Sequence, residues 1–161
     1  LIEKINIDGL KVGDVNTLQV LSEKNEVIDQ RQFQALNTSA VESRFAIMSC
    51  MDDRETKQTE MWAEVIRQNP DFMFFLGDNV YVDSEDIQNS DEFIWGRYVE
   101  TRLNLDIFQA ENLIPIFATW DDHDYGVDDG GEDFNFKSSV QRTFKAFFGS
   151  EESAGLRNGP G

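Results

Sequence analysis

The spacing of apolar residues changes character near Arg44. Before it, apolar and polar positions alternate in Thr17-Leu18-Gln19-Val20-Leu21 and again from Val27-Ile28-Asp29 through Gln32-Phe33-Gln34-Ala35-Leu36. The polar run Ser22-Glu23-Lys24-Asn25-Glu26 lies between them. Alternation with period two marks a half-buried strand, so two such runs about a polar turn predict a β-hairpin. A hairpin with one apolar face is not stable alone in water and must pack on something else. Asn37-Thr38-Ser39-Ala40 reads as a linker.

From Arg44 onward, apolar runs alternate with helical patterns. Phe45 to Cys50 predicts a central strand. Thr56 to Gln68 places Met61, Trp62, Val65 and Ile66 on one helical face and Lys57, Glu60, Glu64 and Arg67 around the other. Pro70 ends that helix, because proline disfavours helical geometry in the residue before it. Phe72 to Leu76 is a second apolar strand, completing a βαβ unit whose strands pair in parallel through a right-handed crossover. Ser84 to Ser90 reads as a polar loop, Asp91 to about Gln109 as a helix and Ile114 to Thr119 as a third strand. Val127 to Asp133 reads as an exposed loop, Lys137 to Phe148 as an amphipathic helix and Gly149 to Gly161 as a loop. The expected class is α/β.

With 161 residues, the chain is the size of one ordinary domain. Thirty-one acidic against 14 basic residues give a formal charge of −17, the reverse of the Lys/Arg excess that binds a phosphate backbone, so no nucleic-acid-binding patch is expected. No apolar run approaches the length of a membrane span, and no charged-then-apolar leader opens the chain. One cysteine, Cys50, excludes an internal disulfide and a multi-thiolate zinc site. Taken alone it reads as a buried thiol.

Two apolar strands each end in an acidic cluster. Phe72–Leu76 runs into Gly77-Asp78-Asn79-Val80-Tyr81, and Ile114–Thr119 runs into Trp120-Asp121-Asp122-His123-Asp124, which contains the only histidine. In an open α/β sheet the carboxyl ends of the strands form the ligand crevice, so the two clusters are expected to line one site. Carboxylates with imidazole or thiolate suit metal ions, and a pair of metals bridged by one carboxylate activates water against a phosphoryl group. Asp78, after a glycine that allows a tight turn, is the natural bridge. Asp128, Asp129, Glu132 and Asp133 read as a solvated loop, Tyr81 alone as a half-buried aromatic. Asp52, Asp53 and Arg54 fit either phosphate positioning or, as the favoured expectation, the start of a helix.

In this order, Ser49-Cys50, Pro70-Asp71, Leu76-Gly77-Asp78-Asn79-Val80-Tyr81 and Trp120-Asp121-Asp122-His123-Asp124-Tyr125-Gly126 resemble the alkaline phosphatase D family of metallophosphatases. The segment Lys137 to Phe148, followed by Gly149, resembles the family's next helix. The resemblance covers about residues 44 to 160. It implies a partial calcineurin-like metallophosphoesterase sandwich in residues 40–161, acting on phosphate mono- or diesters. It implies that Cys50, Asp78 and Tyr81 hold a tightly bound metal, iron in the best-known members, and that Asp78 bridges to divalent ions such as calcium. Asp122 takes a further metal position, and His123 contacts phosphate and assists the leaving group. Residues 1–39 resemble the last strands of a fibronectin type III-like β-sandwich domain, with Leu18 where that domain usually has tyrosine.

Asp128 stands where many relatives carry asparagine. The family's remaining ligands lie in a later Gly-Asp-x-His segment, so the chain is expected to hold about half of the metal shell. A missing C-terminal half or neighbouring chains are expected to cover the sheet, and the 161 residues alone are expected to be inactive. An extracellular or periplasmic location is what the resemblance implies. The rival expectation is a noncatalytic structural or assembly module that keeps the fold and binds calcium for rigidity.

Overall fold

The computed structural model describes residues 4–55, 58–82, 91–126, 128–131 and 133–149. The Ser84–Ser90 loop, the helix start at Thr56, Val127, Glu132 and the tail 150–161 lie outside them.

The hairpin forms as its alternation predicts. Strand β1 (Val15–Leu21) pairs antiparallel with β2 (Val27–Gln34). The turn closes through the Ser22 hydroxyl, which accepts from the N–H groups of Lys24 and Glu26, while Asn25 takes the left-handed conformation (φ 61°). A short strand that the sequence reading did not contain, β3 (Asn112–Leu113), adds in parallel to β2. Arg31 secures this junction by donating to the Ala110 carbonyl at 2.8 Å.

The second sheet carries the two acidic strand ends. Its strands are β4 (Phe45–Met48), β5 (Phe72–Leu76) and β6 (Ile116–Thr119), all parallel, with β5 in the middle. Phe45–Cys50 was expected as a central strand; among the described residues it is an edge. It also stops at Met48, because Cys50 turns left-handed with φ 57°. The expected strand 114–119 begins only at Ile116. Pro115 has no N–H to donate to a ladder, and the chain passes there from one sheet to the other.

Helix α1 (Gln58–Gln68) buries Trp62 against Phe75 of β5, with ring centroids 6.5 Å apart. Asn69 follows in the left-handed conformation and Pro70 prevents continuation. Helix α2 (Asp91–Asn104) ends five residues before the expected Gln109. Leu105 is extended there and a 3-10 turn, Asp106–Phe108, follows. The break lets Leu105 and Ile107 bury beneath the sheet beside Trp62, Met73 and Phe75, which a continuous helix would point elsewhere. A one-turn helix, α3 (Asp122–Tyr125), and helix α4 (Lys137–Phe147) complete the order. Val140 and Phe144 of α4 pack with Ile94 and Tyr98 of α2 and with Val80 and Val82 from the loop after β5.

Only one face of the β4-β5-β6 sheet is covered among the described residues. Met73 and Phe75 point inward and are fully buried. On the other face Phe45, Ile47, Leu76 and Phe117 remain 50, 58, 49 and 48% exposed. Phe45, Phe72, Phe74 and Phe117 pack on one another there, Phe45 stacked on Phe72 and most of the other pairs edge to face.

Candidate metal centre

Parallel pairing in register brings the ends of β4, β5 and β6 to one edge. Beyond the strands the β4–β5 ladder continues as Cys50 N–H donates to the Gly77 carbonyl (3.4 Å) and Met51 N–H to the Asp78 carbonyl (2.9 Å). Cys50 therefore lies beside the Gly77-Asp78 turn. Both Cys50 and Asp78 (φ 50°) are left-handed, which side chains rarely adopt except where surroundings enforce it. Gly77 makes the approach of β5 to β6 possible: a Cβ there would stand 2.4 Å from the Cβ of Asp121.

Asp78, Asp122 and His123 each bring a potential ligand atom within 4.8 Å of the others'. The two acidic strand ends thus come together at one edge of the sheet. Asp78 is buried, and its Oδ1 has no hydrogen-bond partner, whereas Oδ2 accepts from the Tyr81 hydroxyl at 3.4 Å. A buried carboxylate oxygen without a donor is costly unless a cation answers it. Tyr81 leans over His123 with ring centroids 4.2 Å apart, and the Arg54 guanidinium lies 5.5 Å from the centre of the Tyr81 ring. Burial, the Asp78 carboxylate and the Cys50 thiol push the Tyr81 phenol well above its usual range. Phenolate would thus need a cation beside it.

Asp122 is better solvated. The Asp129 N–H, 2.6 Å away, holds its carboxyl below the ordinary carboxylate range. His123 Nε2 faces Asp128 at 3.5 Å. Asp122, Asp128 and Asp129 form a second acidic group, with Asp128 and Asp129 exposed as the loop reading expected.

Several expectations are corrected or refined. Cys50 is exposed rather than a core thiol. Tyr81 is half-buried as expected, and is also bonded to Asp78. His123, expected to assist the leaving group, stands close enough to Asp78 and Asp122 to act as a ligand too. Asp52, Asp53 and Arg54 do not begin helix α1 as described but form a turn before it. Arg54 pairs with Asp52 at 2.8 Å and holds that carboxyl below its usual range.

Two acidic residues hold the site together without facing it. Asp124 is fully buried and accepts from Asn79 N–H (3.0 Å), Asn79 Nδ2 (3.1 Å) and Asp121 N–H (3.1 Å), fastening the β5 loop to the β6 loop. Burial pushes its carboxyl up to about 7, against the pull of those donors. Its spacing three residues after Asp121 is the one sequence signal for this role, a helix-start pattern. Asp53 has no exposed side-chain surface and pairs with Arg97 of α2 at 2.6 Å. Nothing in its local sequence marks it, since its partners lie more than forty residues away.

A cleft of about 460 Å³ lined by Gln32, Asn37, Asp71 and Pro115 lies at the amino ends of the strands, away from the acidic edge. No helix among the described residues is long and apolar enough to cross a membrane.

The family model described as PhoD-like phosphatase matches residues 45–148. A solved structure described as "Structure of PhoD" superposes with a TM-score of 0.70 at 18% identity, over 96% of this chain and 34% of that one. At that identity the likeness concerns the fold, and this chain spans about a third of that protein's length. No curated protein matches the chain.

Proposed function

The chain belongs to the PhoD-like phosphatase family, and we propose that it supplies the first part of a metal centre that hydrolyses phosphate mono- or diesters. The observation that carries this reading is the convergence of Asp78, Asp122 and His123 at the carboxyl ends of adjacent parallel strands. The donor chemistry fits a cation, because Asp78 Oδ1 is buried without a donor and the Tyr81 phenol is pushed up by burial and by its anionic neighbours.

In this reading Cys50, Asp78 and Tyr81 would hold one ion, and Asp78 with Asp122 would hold a second. Thiolate and phenolate beside carboxylate suit ferric iron better than magnesium, and the solvated carboxylates suit calcium or another divalent ion. Such ions, when bound, neutralise phosphate charge and make water acidic enough to attack at neutral pH. His123 holds a proton for the leaving oxygen, and Arg54 over the Tyr81 ring adds positive charge at the rim.

The finer architecture belongs to the same proposal. Residues 40–161 are the start of a calcineurin-like sandwich, and residues 1–39 the last strands of a fibronectin-like domain. The open aromatic face is where a missing C-terminal half or neighbouring chain packs, since parallel sheets are normally covered on both faces. An exported location, periplasmic or extracellular, accompanies this reading.

The test is hydrolysis of an aryl phosphate and a bis-aryl phosphate by the full-length protein, with metal content measured alongside. Metal-dependent turnover that disappears on chelation and returns on adding metal supports the proposal. Bound calcium without hydrolysis would favour a structural module instead.

A further inference from the structure

Helix α2 contributes no side chain to the Asp78, Asp122 and His123 group, yet its polar residues converge on the loops after β4 and β5 beside it. Asp53, three residues beyond Cys50, accepts from Arg97 Nη2 (2.6 Å), Thr101 Oγ1 (3.2 Å) and Asn104 Nδ2 (3.0 Å). Arg97 spends its Nε on the backbone carbonyl of Tyr81 at 3.1 Å and its Nη1 on Glu100 at 2.5 Å. One rigid guanidinium therefore grips the loop after β4 and the loop after β5 together.

The bond to Tyr81 distinguishes this arrangement from a simple anchor for α2. Asp53 with Thr101 and Asn104 already ties the helix to the loop after β4. The Nε donor adds a grip on the residue whose phenol bonds Asp78 at 3.4 Å and whose ring lies against His123. A flat fork with donors on two edges fits this double attachment, and a lysine ammonium does not.

We infer that Arg97, seated on Asp53, is a positioning residue that fixes Tyr81 against Asp78 and His123, and thereby sets how tightly the centre holds its cation. The second half of the inference rests on the metal-centre reading. Partners one shell behind metal ligands typically change metal affinity by about 10–100-fold when removed.

The experiment uses the full-length protein with Arg97→Met, Arg97→Lys, Thr101→Val, Tyr81→Phe and the double variant Arg97→Met/Tyr81→Phe. Hydrogen exchange of peptide 77–82 in the metal-free protein is compared with that of α4, and the dissociation constant for Mn²⁺ alone is measured by calorimetry. Arg97→Met is expected to speed exchange in 77–82 about tenfold without changing α4 and to weaken Mn²⁺ binding by about tenfold. Arg97→Lys, which keeps the charge on Asp53 but loses the fork, should fall between, and carries the test if Arg97→Met does not fold. Thr101→Val should stay near wild type in both measurements. The double variant should bind Mn²⁺ no more weakly than Tyr81→Phe, because the effect passes through Tyr81.

Unchanged exchange in 77–82, equal acceleration in α4, or additive losses in the double variant would overturn the inference. If the wild type binds no Mn²⁺ but local exchange still responds to Arg97, the metal reading fails and the positioning of Tyr81 stands. If the wild type binds Mn²⁺ and neither measurement responds to Arg97, the metal reading stands and this inference fails.

Discussion

The carboxylates of the β5 and β6 loops fall into two groups of the same chemistry and opposite situation. Asp78 and Asp124 are buried, and each is bonded to another part of the functional edge. Asp128 and Asp129 stand a few residues away in the sequence and are exposed, the Asp128 side chain by 80%. Water already satisfies the second pair, so their charge does little for the fold. The first pair must be answered by N–H donors or by a cation, which is why burial, rather than the density of acidic residues, sets these two carboxylates apart.

The strongest test of that contrast is Asp78→Asn in the full-length protein, which removes the charge and leaves the shape. Turnover on an aryl phosphate should fall by about a thousandfold or more with loss of bound metal, read by steady-state kinetics and elemental analysis. Retention of both would place Asp78 with the solvated group. His123→Ala should lower turnover by about a hundredfold while metal content stays nearly intact, the pattern of a proton donor. Metal lost along with turnover would make His123 a ligand, a role permitted by its ring nitrogen lying within 4.8 Å of carboxylate oxygens of Asp78 and Asp122.

Asp124→Asn tests the buried residue that faces no ligand position. An amide turns one accepting oxygen into a donor opposite the N–H groups of Asn79 and Asp121, and should lower stability by about 1–3 kcal/mol in a urea titration. A midpoint equal to wild type would mean that Asn79 and Asp121 find other acceptors. The smallest effect belongs to the exposed pair, where Asp128→Asn with Asp129→Asn should shift stability by no more than about 0.5 kcal/mol. A larger shift would erase the contrast.

The sequence makes the frame legible where residue type and period agree. Phe72–Leu76 is apolar at every position, and the structure gives a strand with those bounds. The hairpin alternation likewise yields β1 and β2, and the two acidic strand ends meet as the βαβ logic requires. What the sequence hides is whatever depends on distant partners. Leu105 looks like part of a continuing helix, and only the space beside Phe75 explains why the chain turns there. Asn112-Leu113 is too short to show any period, and becomes a strand because β2 offers it an edge. Asp53 resembles any polar residue of a turn until Arg97 and Asn104 fold against it.

The left-handed backbone at Cys50 and Asp78 governs how these positions answer to mutation. For an ordinary side chain that conformation costs about 1–2 kcal/mol, whereas glycine adopts it freely. At the exposed Cys50 a glycine therefore relieves strain and removes no buried surface, while deleting the thiol. A saturation library scored for expression would rank Cys50→Gly among the tolerated changes. If Cys50 holds a metal as proposed, the same library scored for turnover would rank it among the most damaging, and the gap between those two rankings would measure that role.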